Sequence, residues 1–236
     1  MKEVIFMAVY ACSDFHGNYK AYEAVKEFIK PEDFVYFLGD AGDRGPEPWR
    51  TVMAIYNDPQ FCYLKGNHED MLCNAIEEWM PDHIKYGEYS LLDYNGGSKT
   101  FREWKNGPER NKWYGRLKRL PINVVYTNSK NEIIHLSHAG FTPPTVPRED
   151  WLLWDRMHMF DDWTGEENEY VVHGHTTTRK YTGDNVIYRY CNNHKIDIDV
   201  RCFRSERVAL LDLDTLEPIY LDAKYEGENN GKEKFE

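Results

Sequence analysis

The chain has 236 residues, of which 41% are hydrophobic and 15% aromatic, and this is too much apolar surface for a disordered protein. Its formal net charge of −11 creates a field that repels polyanions, which argues against nucleic acids and anionic membranes as partners. We expect one domain over residues 1–225 and a flexible polar tail at 226–236.

The cysteines and the first residues favour a cytoplasmic location. The five cysteines are scattered, without the paired spacing of a zinc ribbon or a disulfide framework, so we expect free thiols. The apolar stretch Val4–Cys12 is too short to span a bilayer, and no signal-peptide cleavage site follows it. We therefore expect a cytoplasmic protein that does not bind membranes.

The first third of the chain alternates between short apolar strands and amphipathic helices. The apolar spacing predicts strands at Val4–Cys12, Asp33–Leu38 and Phe61–Leu64, and helices at Asn18–Lys30 and Pro46–Tyr56. Each strand runs directly into a polar loop, with the sequences SDFHGN, GDAGDRG and KGNHED. This order predicts an α/β core in which the polar loops meet at one edge of a sheet.

Residues 70–120 have a helical pattern that is rich in tryptophan and tyrosine. The pattern breaks at Pro81, Gly96–Gly97 and Gly107–Pro108. We interpret this stretch as a helical insert whose large rings pack against one another, with a peptide-binding groove as the alternative. The rings in question include Trp79, Trp104 and Trp113.

Strands return after the insert, and the later ones follow each other closely enough to be antiparallel neighbours. They are predicted at Ile122–Tyr126, Glu132–Ser137, Tyr170–Val172, Val186–Tyr190, Lys195–Val200 and Arg207–Leu213. Two of them end in histidine, because HLSHAG places His138 at a strand end and VVHGHT does the same for His173 and His175. Histidine at a strand end is not a usual packing residue.

The polar residues at the strand ends are of the types that bind metal ions. Asp14 and His16 flank one residue, so in an extended chain both side chains point the same way, although alone they would be read as an exposed turn. Asp40 follows the second strand directly, where a carboxylate can bridge two cations. Asn67 offers a neutral oxygen ligand or, alternatively, caps the next helix. Together with His138, these mixed oxygen and nitrogen donors suit Mn, Fe, Zn or Ni better than Ca.

Two further residues in these loops suit phosphate chemistry. Arg44 offers a planar fork of donors for phosphate oxygens, with a surface Asp43–Arg44 pair as the alternative. His68 has the side chain that titrates near neutral pH, which makes it a candidate general acid.

The series SDFHG, GDAGDRG, GNHE, SHAG and GHT, over about residues 10–200, resembles the signature of the PPP-type metallophosphatases. Within the calcineurin-like metallophosphoesterase superfamily, the series is most similar to the bacteriophage-lambda type of serine/threonine protein phosphatase. The segment LLWDR, which contains Arg156, resembles the part of that family with a second phosphate-binding arginine. The resemblance implies a four-layer α/β/β/α sandwich and hydrolysis of phosphate monoesters, with phosphoserine and phosphothreonine in proteins as the expected substrates.

The resemblance also implies a role for each matching residue. One divalent cation would be held by Asp14, His16 and Asp40, and a second by Asp40, Asn67, His138 and His175. We expect manganese, with iron, zinc or nickel as alternatives. Arg44 and Arg156 would clamp the phosphate, a hydroxide bridging the metals would attack phosphorus, and His68, oriented by Asp43, would protonate the leaving oxygen.

The first departure from the family pattern lies after His175. The wider superfamily has a second histidine in a G-H-x-H pair, whereas Thr176 and Thr177 stand here. We assign His175 as the metal ligand because the Gly-His-Thr register fits. We assign His173 to a supporting position behind the ligands, where such residues commonly orient them.

The second departure is a cluster of arginines where the family has a small, glycine-containing turn. The cluster comprises Arg201, Arg204 and Arg207. We interpret it as charge on a strand edge, which discourages aggregation, and its alternative role is an extra anion contact at the rim of the pocket.

Two other functions remain open at this stage. The same metal-binding scaffold could serve a symmetrical diadenosine tetraphosphate hydrolase, so the substrate is either a phosphoprotein or a small phosphoester. A catalytically weak binding protein is the third possibility, since a fold does not establish an activity. The sequence makes no prediction about the oligomeric state.

Overall fold

The computed structural model describes residues 7–80, 86–144 and 148–225, so the predicted tail at 226–236 lies outside the described residues. The first part of the chain alternates as the sequence predicts. Its strands are β1 (Val9–Cys12), β2 (Phe34–Phe37) and β3 (Phe61–Tyr63), and its helices are α1 (Tyr19–Phe28), α2 (Pro48–Asn57) and α3 (Asn67–Trp79). The helix α3 begins three residues before the predicted insert.

The helical insert and the second set of strands follow in the predicted order. The insert continues with α4 (Glu88–Tyr94), α5 (Ser98–Asn106) and α6 (Arg110–Lys118). The remaining elements are β4 (Asn123–Thr127), β5 (Ile133–Ser137), α7 (Glu149–Trp154), β6 (Glu169–His173), α8 (Arg179–Thr182), β7 (Tyr188–Tyr190), β8 (Lys195–Asp197), α9 (Cys202–Ser205), β9 (Arg207–Asp212) and β10 (Pro218–Asp222). The sequence analysis did not predict β10 or the short helices α7, α8 and α9.

The strands form two five-stranded sheets, with the orders β10-β9-β1-β2-β3 and β4-β5-β6-β8-β7. In each sheet three parallel strands lie side by side, β1-β2-β3 in the first and β5-β6-β8 in the second. The expectation of antiparallel neighbours holds for β7 and β8, but β6 and β8 are parallel, and β9 belongs to the first sheet. The polar loops that follow the parallel strands therefore lie at the carboxyl edges of both sheets.

Alternate residues of β1 face two different cores. Val9 and Ala11 pack with Ile134 of the second sheet, so one core lies between the sheets. Tyr10 and Cys12 point the other way and join the core formed with α1, α2 and α3. A smaller cluster covers the outer face of the second sheet and contains Phe141, Leu152 and Val171. The layers are helix, sheet, sheet and helix, and this confirms the predicted sandwich.

The aromatic side chains of the insert form a packed layer. Trp104 and Trp113 are 1% and 6% exposed, and the ring of Trp113 lies 5.3 Å from that of Trp49 in α2. Trp79 differs, because 42% of it is exposed. The packed-layer interpretation is therefore confirmed for Trp104 and Trp113. Among the described residues, no helix has both the length and the apolar character to cross a membrane.

Candidate active site

The loops after β1 and β2 are joined by backbone hydrogen bonds. The Asp14 amide donates to the Gly39 carbonyl at 3.1 Å, and the His16 amide donates to the Asp40 carbonyl at 3.0 Å. Asp14 and His16 have φ values of 58° and 45°, so the expectation of an extended chain at this pair is wrong. Contact between the loops still brings the pair together, with His16 Nε2 lying 3.7 Å from Asp14 Oδ1.

Asp40 lies at the centre of the site. Its Oδ2 atom is 3.6 Å from His16 Nε2, 3.8 Å from His68 Nε2 and 3.4 Å from His138 Nε2. Two groups of possible ligand atoms, each spanning no more than 4.8 Å, share this carboxylate: Asp40 with His16 and His68, and Asp40 with Asp14 and His138. All five side chains are buried. A carboxylate common to two such groups is the arrangement that bridges a pair of cations.

Asn67 and His175 lie beside the second group. The Asn67 Oδ1 atom is 2.9 Å from His138 Nε2 and 3.0 Å from His175 Nδ1. The backbone amide of His175 donates to Asp14 Oδ2 at 3.2 Å. The structure thus brings together all six residues that the sequence nominated as metal ligands.

Backbone carbonyls orient the imidazole rings. His138 Nδ1 lies 2.8 Å from the Leu38 carbonyl and His16 Nδ1 lies 3.3 Å from the Gly42 carbonyl, and because a carbonyl only accepts, both Nδ1 atoms carry the proton. The Nε2 atoms of both rings then lie on the side of Asp40. Burial, reinforced by nearby cations, holds the pKa of His16 well below its usual value. A neutral ring that donates its far N–H to a carbonyl is the arrangement of a metal-ligating histidine.

The electrostatics of the cluster favour added positive charge. Burial opposes ionisation of Asp40, but His138, His68 and His16 together hold its pKa well below the usual value. Burial also acts against a charged His138, yet Asp40 raises the pKa of that ring to about 9. The pKa of Asp14 is raised by burial. Carboxylate, amide and imidazole donors around a centre that attracts cations fit divalent ions such as Mn²⁺ or Zn²⁺.

His68 lies at the edge of this cluster, between the carboxylate of Asp43 and the guanidinium group of Arg44. Its Nδ1 lies 2.5 Å from Asp43 Oδ2, and its Nε2 lies 2.8 Å from Arg44 Nη2. The other terminal nitrogen of Arg44, Nη1, is 2.6 Å from His16 Nε2. A guanidinium group only donates, so both histidine Nε2 atoms accept hydrogen bonds here. Thr100 of the insert donates its hydroxyl proton to the Asp43 carboxylate and accepts from the Asp43 amide at 3.0 Å.

A cleft of about 660 Å³ opens over the cluster. Both proposed phosphate clamps, Arg44 and Arg156, line it, together with His16 and His175. Three more cations from α8 and α9 also line the cleft: Lys180, Arg201 and Arg204.

The strand-edge interpretation of the arginine cluster is wrong. Arg201 directly precedes the helical turn α9 as its N-cap, Arg204 belongs to that turn, and both line the cleft. Only Arg207 lies on a strand, where its guanidinium group is 5.4 Å from the centroid of the Tyr220 ring. That strand, β9, is interior to its sheet because it pairs with both β1 and β10.

His173 lies behind the ligands and is fully buried. Its Nδ1 is 3.0 Å from the Gly174 carbonyl and its Nε2 is 2.7 Å from the Tyr190 hydroxyl. Both ring nitrogens are therefore engaged by partners other than the candidate ligands.

Residues 7–202 match the calcineurin-like phosphoesterase family. The chain belongs to this family. It is 35% identical over 182 residues to serine/threonine-protein phosphatase 2 of Escherichia coli K12, and the match covers 71% of this chain and 78% of that protein.

Other relatives of this calcineurin-like phosphoesterase have names that indicate different substrates. The symmetrical bis(5'-nucleosyl)-tetraphosphatase of Delftia acidovorans is 25% identical over 158 residues, which cover 64% of this chain and 51% of that protein. The chain thus matches about half the length of that relative. A protein serine/threonine phosphatase from Saccharomyces cerevisiae has a similar fold, with a TM-score of 0.59, 13% identity, and coverage of 95% of this chain and 82% of that one.

The sequence analysis missed the residue that anchors the second loop of this calcineurin-like phosphoesterase. The carboxylate of Glu69 accepts hydrogen bonds from the amides of Asp40, Ala41 and Gly66, at 2.8, 3.0 and 2.8 Å. The signal was present in GNHED, since an acidic residue three positions after the N-cap returns to bond the cap amide. The helix α3 begins at Asn67 with Gly66 as its cap, so Asn67 is not the capping residue.

Three other residues of the site carried no local signal. Thr100 contacts Asp43 from 57 positions away, across the insert. Asp199 lines the cleft, where burial raises its pKa to about 6. The Phe203 ring packs 5.4 Å from the ring of His16. Each role depends on which distant segment reaches the cleft.

Proposed function

We propose that this protein is a metal-dependent phosphatase that hydrolyses phosphate monoesters, with phosphoserine and phosphothreonine in proteins as substrates. The observation that carries the proposal is the buried Asp40 carboxylate, which lies 3.6 Å from His16 Nε2 of one expected metal site and 3.4 Å from His138 Nε2 of the other. A binding module has no chemical need for such a pair of sites, whereas phosphoester hydrolysis uses them directly. The similarity to the E. coli phosphatase supports the choice of substrate.

In this proposal, the residues around Asp40 hold two divalent cations, with manganese expected. The proposed ligands are Asp14, His16, Asp40, Asn67, His138 and His175. When bound, the cations would lower the pKa of water and neutralise charge on the phosphate oxygens. Arg44 and Arg156 line the cleft and would donate their planar forks to the same phosphate group.

His68 is the proposed general acid, and Asp43 is the residue that positions it. The contact between Asp43 and Nδ1 leaves Nε2 facing Arg44, which lines the cleft. Once Arg44 donates to a phosphate instead, Nε2 would be free to carry a proton and give it to the leaving oxygen. The Asp43 carboxylate would stabilise the protonated ring before this transfer. Thr100 holds that carboxylate in place, so the insert contributes to the orientation of the acid.

The test is the dependence of the rate on the leaving group, measured with Mn²⁺ supplied. We expect the unmodified protein to release orthophosphate from both para-nitrophenyl phosphate and a phosphoserine peptide. His68→Asn should slow the peptide reaction by about 100-fold or more, because a serine alkoxide leaves poorly without a proton. The same variant should slow para-nitrophenyl phosphate much less, since nitrophenolate leaves unprotonated.

His135→Asn is the matched control, because His135 lies on β5, where it pairs with Glu169, and it is neither a proposed ligand, a clamp nor the proposed acid. It should leave both rates near those of the unmodified protein. Equal slowing of both substrates by His68→Asn would contradict the role of a general acid. Absence of phosphate release from every monoester by folded, metal-loaded protein would contradict the proposed function.

A symmetrical diadenosine tetraphosphate hydrolase is the second candidate. The Delftia relative and the three additional cations in the cleft favour it, since a polyphosphate chain carries several negative charges. Product analysis separates the two functions. Cleavage of diadenosine tetraphosphate into equal halves, without release of phosphate from phosphopeptides, would establish this alternative.

A further inference from the structure

Three cationic side chains of the cleft lie outside the proposed phosphate clamp. Lys180 belongs to α8, Arg204 belongs to α9, and Arg201 directly precedes α9. Within the described part of the chain, no ion pair joins any of the three to a carboxylate. We call these three residues the cationic rim.

The charge of the cleft is opposite to that of the protein. Five cations line it, the cationic rim and the two clamp arginines, against the two carboxylates of Asp93 and Asp199. The chain as a whole has a net charge of −11. An excess of one sign in a cleft, against the charge of the rest of the molecule, concentrates ligands of the opposite charge.

Arg201 is held at the cleft by its backbone. Its φ is 59°, an uncommon value for a residue with a side chain, and its amide donates to Asp199 Oδ1 at 2.8 Å. Burial lowers the pKa of Arg201, and Arg204, Arg179 and Arg44 add to the effect. Arg201 and Arg204 of the rim therefore repel each other, and a bound anion would relieve that repulsion.

Phe203 links the rim to the proposed clamp. The guanidinium carbons of Arg44 and Arg204 each lie 5.5 Å from the centroid of the Phe203 ring. The two guanidinium carbons can therefore be no more than about 11 Å apart, which is twice their distance from the ring centroid. Side chains two positions apart on an extended peptide are separated by about 7 Å. A ligand whose phosphate binds Arg44 of the clamp could therefore place a second, nearby anionic group at Arg204 of the rim.

We propose that the cationic rim is a second anion subsite, which selects substrates with another phosphate or carboxylate close to the scissile phosphate. The inference rests on the proposed function and adds a substrate class to it. In a phosphoprotein the second anion is an acidic or phosphorylated neighbour of the phosphoserine. In a dinucleotide it is the remainder of the polyphosphate chain.

The test uses two phosphoserine peptides that differ only at the positions two residues before and two residues after the phosphoserine, glutamate in one and glutamine in the other. We expect kcat/KM of the unmodified protein to be about tenfold higher for the glutamate peptide. The preference should shrink as salt is raised from about 0.05 M to about 0.5 M, because exposed charges are screened. The double variant Arg201→Gln/Arg204→Gln should bring the ratio of the two kcat/KM values close to one, through a higher KM for the glutamate peptide.

Arg207→Gln is the matched control, since Arg207 lies on the same segment but is not a lining residue of the cleft. It should keep the preference of the unmodified protein. Lys180→Gln, on a different element, should weaken the preference independently of any change in the folding of α9. Thermal unfolding of each variant establishes that the comparison is made on folded protein.

Diadenosine tetraphosphate forms the second arm of the test. One outcome is that the peptides show no charge preference while the KM for diadenosine tetraphosphate rises in the double variant. This outcome supports the subsite and identifies a polyphosphate as its occupant. No charge preference and an unchanged KM for diadenosine tetraphosphate would overturn the subsite. If para-nitrophenyl phosphate is still hydrolysed in that case, the proposed function stands. If no phosphoester is hydrolysed, the proposed function and the subsite both fail.

Discussion

The histidines of the site present different ring nitrogens to the same cluster. His16 and His138 direct Nε2 at Asp40, because their Nδ1 atoms face backbone carbonyls. His175 has the reverse arrangement, with Nε2 3.3 Å from the Trp154 carbonyl and Nδ1 beside the proposed ligands. Its φ of 68° turns the chain away from the direction of β6. At the residue scale, the backbone around each ring decides which nitrogen is available to a cation.

His175→Ala should lose at least one of two bound manganese ions, whereas His173→Ala should keep close to two. The reason is that His175 directs a free nitrogen at the cluster, while both nitrogens of His173 are occupied by the Gly174 carbonyl and the Tyr190 hydroxyl. Elemental analysis of metal per protein molecule after dialysis measures the difference. Loss of metal from His173→Ala together with retention by His175→Ala would reverse the assignment.

The loop after β2 depends on a neighbouring helix for its shape. Asp40 is in the left-handed backbone region, with a φ of 62°, and its amide bonds to Glu69 in the first turn of α3. The Tyr63 hydroxyl also donates to that carboxylate, at 2.7 Å. At the element scale, the start of α3 therefore holds the loop that carries the central carboxylate.

Glu69→Ala should destabilise the protein by about 3 kcal/mol, because buried amide donors then lack an acceptor. Glu23→Ala is the control, since Glu23 forms an exposed pair with Lys20, and such surface pairs contribute little to stability. Urea unfolding in EDTA measures both without a contribution from bound metal. If both variants lose the same stability, the anchoring role of Glu69 is refuted.

The proposed ligands come from both sheets. Asp14, Asp40 and Asn67 follow β1, β2 and β3 of the first sheet, while His138 and His175 follow β5 and β6 of the second. Bound cations would therefore connect the carboxyl edges of the two sheets. The stability of the whole sandwich would then depend on metal binding.

Removal of metal should lower the melting temperature by about 5–10 °C. A ligand at about 100 times its Kd adds about 3 kcal/mol to the native state, and 1 kcal/mol corresponds to about 2–4 °C for a chain of this size. Thermal unfolding with excess Mn²⁺ and with EDTA measures the shift. Asp40→Asn should show little shift, because it removes the shared carboxylate. Equal melting temperatures for the unmodified protein under both conditions would refute the coupling.

Local sequence patterns are enough to predict the α/β class, the order of the main strands and helices apart from β10 and α7 to α9, and the residue types at the strand ends. These follow from local patterns, since apolar periodicity and the residues that end a strand are properties of short segments. The carboxylate and histidine donors, from Asp14 to His175, were identifiable for the same reason. Their family signature supplied the expected pairing into two metal sites.

How distant segments meet at the cleft follows from long-range packing and could not be read from local patterns. Three features depend on packing between parts of the chain that are far apart in sequence. They are the left-handed backbone at Asp14 and His16, the contact of Thr100 with Asp43, and the placement of Arg201 beside the cleft. The pairing of β10 with β9 also had no strong local pattern, because its residues are only partly buried. A local pattern reports which face of a segment is apolar, and the free energy that selects its neighbours comes from contacts formed in the folded chain.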